Sequence, residues 1–274
     1  MKKKIAIALC LLFPLPAFSS LTIATTNNGS DLANALQGAG VTISNVALQG
    51  AQTQQGFFSG GLSAGIGFES GIILTTGDAN SAVGPNTNSS LSSQTASGSD
   101  TDLVALINAS VFDANVLQFD FQSDSGNISF NYVFASEEYN EFVNSNFNDV
   151  FGFFLDGVNI ALIPGTSAPV SIDNVNLDVN SIFYQNNENA FFNIEYDGFT
   201  TVLNARFTGL SNDSHHIKLA IADASDSILD SAVFLQAESF SSSTVPLPPA
   251  IWLFSSVLAG FGLIKPRKNY LNKI

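Results

Sequence analysis

The chain has 274 residues, one Cys, 45% hydrophobic and only 12% charged residues, a balance that excludes intrinsic disorder and allows one large domain or two small ones. Its net charge of −14 is segregated: Lys2, Lys3 and Lys4 open the sequence and Lys265, Arg267, Lys268 and Lys273 close it, leaving Arg206 and Lys218 against all 23 acids between them. So acidic a body repels phosphate backbones and anionic headgroups, which excludes nucleic-acid binding.

In chain order, residues 1–19 read as a secretory signal peptide. Lys2 to Lys4 are its positive start, Ile5 to Pro14 its apolar run, and Ala17 and Ser19 the small residues that a signal peptidase reads before cutting. The apolar run is well short of the ~20 residues that span a bilayer. Cys10 lies within it, so the mature chain has no disulfide, thiolate nucleophile or Cys-ligated zinc.

A β domain is expected over residues 20–240. Ser30 is a candidate cap for a helix from Asp31 to Gln37, stopped by Gly38, and Asp100 or Thr101 for a short turn through Ile107. Ile72 to Thr76 is the first strand candidate. Pro85 to Asp102, rich in Asn, Ser, Thr and Gly without apolar periodicity, reads as a long surface loop. Leu117 to Phe121 and Ile128 to Phe134 alternate apolar and polar about a Gly-containing loop, the pattern of a hairpin. Val150 to Leu155 is apolar throughout and meets Val158 to Ile163 across Asp156-Gly157, a second hairpin with one strand covered on both faces. Val170 to Val175, Phe191 to Tyr196, Val202 to Phe207, Ile217 to Ala222 and Ala232 to Ser239 complete the set. Short strands at such spacing imply an all-β fold, an antiparallel β-sandwich or jelly-roll-like domain with few short helices.

The serine run Ser239 to Thr244 reads as a linker, and residues 241–249 as linker plus proline motif. Residues 250–274 are an apolar span with a basic tail. Ala250 to Ile264 would give a helix of roughly 22 Å, shorter than a hydrocarbon core of about 30 Å, and Lys265, Arg267 and Lys268 place its end in the cytoplasm. With Val245, Pro246 and Pro248 ahead of it, this end resembles a PEP-CTERM sorting signal, although Leu247 stands where the usual Glu would be. The resemblance implies membrane insertion before processing by an exosortase-like enzyme of a Gram-negative bacterium. A plain transmembrane anchor is the competing reading.

The blocks Tyr132 to Tyr139, Phe142-Val143 and Phe147 to Leu155 resemble the signature of the choice-of-anchor L domain family. Gly71 to Gly77, Asn159 to Thr166, Pro169 to Ile172, Tyr196 to Thr200, His216 to Asp223 and Asp230 to Leu235 are similar to its other blocks, so that the resemblance covers roughly residues 30 to 240. It implies an exported surface protein without an assigned catalytic activity.

Acidic residues carry what chemistry the sequence offers. Asp223, Asp226 and Asp230 crowd one connection, with Glu137, Glu138 and Asp149 elsewhere, and such crowding calls for a cation. Calcium suits them as cofactor, since it accepts six to eight oxygen ligands from irregular loops; the spacing is not that of an EF-hand. Solvated, turn-forming acids are the alternative. His215 and His216 are adjacent on a strand and point to opposite faces, so they cannot share a metal. Glu137, Glu138 and Glu141 near Tyr132 and Tyr139 are a weak glycosidase signal, and no nucleophile elbow, phosphate loop or zincin motif is present. No catalytic residue is assigned. The expectation is a non-catalytic adhesive or structural protein of the cell envelope, surface or matrix, with a carbohydrate-binding module or polysaccharide hydrolase as the alternative and surface polysaccharide as a possible partner.

Overall fold

The computed structural model describes residues 20–243. The regions expected to be a signal peptide and a sorting signal, including Ala17, Ser19, Val245, Pro246, Pro248, Lys265, Arg267 and Lys268, lie outside the described residues. Among the described residues no helix is long and apolar enough to cross a membrane.

Thirteen strands form two antiparallel sheets: β1 (Thr22–Thr25), β2 (Val41–Gln49), β3 (Gln55–Ser59), β4 (Ser70–Thr75), β5 (Val111–Ser123), β6 (Asn127–Ser136), β7 (Val150–Leu155), β8 (Val158–Asn159), β9 (Tyr184–Asn186), β10 (Gly198–Thr200), β11 (Leu203–Thr208), β12 (His215–Ala224) and β13 (Ser231–Gln236). The first sheet runs β1-β3-β4-β13-β6-β10-β9, with β11 also on β6; the second runs β2-β5-β12-β7-β8. Three short helices accompany them: α1 (Gly29–Leu36), α2 (Gly61–Ala64) and α3 (Thr101–Ile107).

The main core fills the space between the sheets. Leu117, Phe119 and Phe121 of β5, Phe151, Phe153 and Leu155 of β7, and Ile217, Leu219 and Ile221 of β12 face Ile128, Phe130, Tyr132 and Phe134 of β6. Spacing by two puts each set on one face of its strand. The rings meet mostly edge to face, as Tyr132 and Phe153 do at 4.9 Å, the arrangement that aromatic quadrupoles favour. The outer face of the second sheet carries Val150, Phe154, Ala220 and Ala222 beneath Leu103 of α3. That second layer is why β7 is apolar at every position. Loop residues Ile66, Phe68, Ile194 and Tyr196 cover the outer face of the first sheet.

The expected all-β class, the Asp156-Gly157 hairpin and the Asp100-capped helix are all present, although the hairpin's second strand ends at Asn159 and not at Ile163. The turn has φ of 46° at Asp156 and 84° at Gly157, left-handed values that a two-residue hairpin turn requires. Four expectations need correction. Asn28, not Ser30, caps α1, its side-chain oxygen accepting from the Ser30 and Asp31 amides. β5 and β6 are not a hairpin: β5 pairs with β2 and β12 while β6 pairs with β10, β11 and β13, so the loop between them is an arch from one sheet to the other. Residues 170–175 and 191–196 are not strands, although Val170, Ile172, Val175, Ile194 and Tyr196 are buried. Asn side chains there replace strand partners: Asn176 donates to Ile172 O, and the fully buried Asn187 donates to Ile194 O and Tyr196 O. Finally, the serine run is docked rather than free. Ser239 and Ser241 are buried, Ser241 exchanges backbone bonds with Ser129, and Phe240 packs its ring 5.0 Å from Phe121 and 5.3 Å from Phe119.

Candidate functional site: a buried carboxylate seam

Antiparallel register brings the ends of several strands together at one end of the sandwich. In the first sheet Thr75 ends β4 opposite Ala232, and Ser136 ends β6 opposite Ser231. In the second, Val150 begins β7 opposite Ala222, and Val111 begins β5 opposite Ala224. The acids of the sequence flank these ends. Glu137 and Glu138 follow β6, Asp149 precedes β7, Asp223 is next to last in β12, and Asp230 precedes β13. All five are buried, with relative exposures of 1–2%.

Hydrogen bonds stitch the two sheets here. Asp149 Oδ2 accepts from the Ser231 hydroxyl at 2.6 Å and Oδ1 from the Ala224 amide at 2.9 Å, while its own amide donates to Glu138 Oε2 at 2.9 Å. Glu137 N donates to Asp230 O at 3.1 Å. Asp230 sits against Gly77, where an added Cβ would lie 1.8 Å from Asp230 Oδ2. Only glycine leaves room for that carboxylate.

The segment expected to be a plain surface loop is a cover over this seam. The Ser93 amide donates to Asp230 Oδ1 at 3.0 Å and the Thr95 amide to Asp113 Oδ2 at 3.2 Å. Thr87 and Asn88 amides donate to Glu195 Oε1, and the Asn86 side chain donates to Asp197 Oδ1 at 2.6 Å. Between Leu91 and Gly98 the inward residues alternate with exposed ones, a period of two carried by polar side chains. Asp113, Glu195 and Asp197, which extend the seam, were not singled out by the sequence. The sequence carries no clear signal for them, since most of the bonds that hold them come from backbone amides, which any residue possesses.

Seven carboxylate oxygens in the seam are buried without a well-formed hydrogen bond, Glu137 Oε1 and Oε2, Glu138 Oε1, Asp197 Oδ2, Asp223 Oδ1 and Oδ2, and Asp230 Oδ2, although the Leu91 backbone acts on Glu137 and the Thr76 side chain on Asp223. No cation of the described residues faces them. Lys218 pairs with Asp100 and Asp102 beside α3, Arg206 lies on β11 opposite Ser129, and His215 and His216 pair with Asp156 and Asp120 at the far end of β12. The two histidines thus have separate partners. Burial, with the charges of Asp197, Glu195 and Asp230 beside it, raises the Glu137 pKa to about 9; burial likewise raises Asp230 to about 7 and Asp197 to about 6. Glu138, Asp149 and Asp223 are pushed upward together by burial, and Asp149 further raises Glu138 and Asp223 by repulsion. Asp226 is half-buried in the connecting loop with Oδ1 bonded to the Ile228 amide, and its charge helps to raise Glu138 and Asp149. Of the six acids expected to cluster, five are buried in the seam and Asp226 lies half-buried beside them. Among the described residues no three His, Cys, Asp or Glu side chains surround one point as a metal shell does.

The model of the Choice-of-anchor L domain matches residues 22–241, nearly the whole described chain. The chain belongs to the Choice-of-anchor L domain family. No curated protein and no solved structure matches it. Membership in the Choice-of-anchor L family goes with a surface-associated, exported protein. The matched span stops at Ser241, so the docked Phe240 falls within the Choice-of-anchor L domain.

Proposed function

We propose that this protein has a non-catalytic, adhesive or structural role at the bacterial cell surface or in the extracellular matrix, reaching it by a cleaved signal peptide and a C-terminal sorting signal. The observation that carries the reading is where the aromatic residues go. Tyr132, Tyr139, Tyr196 and most of the described Phe rings are buried in the sandwich, whereas a polysaccharide-binding face presents rings to solvent. Glu137 and Glu138 are also only 1% exposed, which keeps a polymer chain away from them.

The test compares wild type with Glu137→Gln and Glu138→Gln, each checked for fold by circular dichroism. Adhesion or matrix assembly lost on deleting the protein should return with wild type and with both variants, and none should release reducing sugar from matrix polysaccharide above buffer. Sugar release by wild type that either substitution abolishes would replace this reading with a glycosidase. Mass spectrometry of the exported protein should find no peptide ending at Ile274; recovering one would leave a plain anchor in place of a processed signal.

A further inference from the structure

We propose that Lys218 and Asp100 are joined by an isopeptide bond that forms within the folded chain, with Asp102 carrying the protons. Lys218 is the only lysine of the described residues, and it lies on β12 opposite Phe154 of β7. Its Nζ is 2.7 Å from Asp100 Oδ2, also contacts Asp102 Oδ2, and sits 5.4 Å from the centre of the Phe154 ring. The Lys218 and Asp100 side chains are only 12% and 10% exposed, beside the apolar layer that contains Leu103, Phe154 and Ala220. The carboxyl is itself fixed in place. Asp100 Oδ1 accepts from the amides of Asp102 at 3.0 Å and Leu103 at 3.1 Å, which leaves Oδ2 for the lysine and draws electron density from Cγ, the atom to be attacked. The same two amides meet the charge that gathers on Oδ1 as the amine adds.

The second carboxylate gives the protons a route. Burial works to lower the Lys218 pKa, but its bonds to Asp100 and Asp102 raise it further, so the resting pair is ionic. Asp102, the more exposed acid at 47%, takes a proton from Nζ and passes it to Asp100 Oδ2. The freed lone pair attacks Asp100 Cγ, and a second Nζ proton follows the same path. The Cγ–Oδ2 bond breaks, Oδ2 leaves with both protons as water, and Asp102 is a carboxylate again. One ammonium and one carboxylate become a neutral amide, which removes a charge pair from a poorly solvated place. Between free partners in water this condensation is unfavourable, but well-oriented partners in one molecule reach effective concentrations of about 10⁵ M or more. The bond fastens the end of the cover to the second sheet across 118 residues of sequence, in a stretch of chain with no Cys to form a disulfide. It does not rest on the surface role, and its test reads mass rather than adhesion.

The purified full chain is denatured, weighed by mass spectrometry and digested with trypsin. Wild type should weigh one water less than its sequence. The peptide from Phe207 to Lys218, which an unmodified chain releases, should be missing, and the residues on both sides of Lys218 should appear in one branched product that includes Asp100. Lys218→Arg, which keeps the positive charge, should have its full mass. Asp102→Asn, which cannot relay the protons, should be mostly unlinked. If Lys218→Arg fails to fold, Asp100→Ser takes its place with the same expectation, since serine also caps a helix. Wild type at full mass that releases the peptide ending at Lys218 completely would overturn the bond and leave an ion pair. A loss of water that persists in Lys218→Arg or its substitute would overturn it as well, by placing the dehydration elsewhere.

Discussion

Asp223, next to last in β12, has both carboxylate oxygens buried without a well-formed hydrogen bond, and Glu137 repeats the arrangement across the seam. Such groups make stability depend on pH with a definite sign. A carboxyl whose pKa is raised on folding holds its proton more tightly in the folded chain, so its contribution is whole below the unfolded value, near 4, and is lost as pH rises through the folded value. For Asp230 that loss comes around pH 7, and for Glu137 around pH 9. Tm by scanning calorimetry is therefore expected to fall steadily from about pH 5 to about pH 9, against the common preference of proteins for neutrality. A Tm that is flat or rises over that interval contradicts the assignment of raised pKa values.

At the scale of elements, the alternation in β5 and β6 was readable, but their pairing was not. Two strands of a hairpin send their apolar residues to the same side of one sheet, and two strands of an arch send them toward each other. The sequence pattern is the same in both cases, and only the partners β12 and β13, from the end of the chain, decide between them. The β7–β8 hairpin was legible because Asp156-Gly157 fixes a local turn. Residues 170–175 and 191–196 misled because burial was read as strand. Phe191 is in fact 77% exposed, and the neighbouring Ile194 is buried in a loop clamped by Asn187. Of the seam, the acids were legible from their crowding, while the cover was not, because its order rests on backbone amides that any residue possesses. Asn187→Ala should cost about 1–3 kcal/mol per buried group left unsatisfied, with Ile194 O, Tyr196 O and the Phe192 amide all losing a partner. Urea unfolding measures it, and a change below about 0.5 kcal/mol, the range of ordinary surface substitutions, would show that water replaces the clamp.

For the molecule as a whole, the body ends later than its last strand. Phe240 seals the sandwich against Phe119, Phe121 and Phe130, and the residues on either side bond to α1 and β6. Phe240→Ala should destabilise the chain by about 3–5 kcal/mol, the range for emptying a buried aromatic site. Phe207→Ala, at a ring 39% exposed, should cost well under half of that in the same denaturation series. Equal losses would mean that Phe240 does not seal the core. Any cut that removes the tail must therefore fall beyond Ser241 to leave a stable domain.

The position of β13 between β4 and β6 sets when the domain can assemble. Its neighbours are made long before it, and each carries an unpaired row of amides and carbonyls until Ser231–Gln236 arrives to fill the gap. Non-local pairing of this kind is slow to nucleate. A chain emerging from its amino end thus stays open and threadable until almost its last described residues are out, and the same strand that completes the sheet brings Asp230 to the seam.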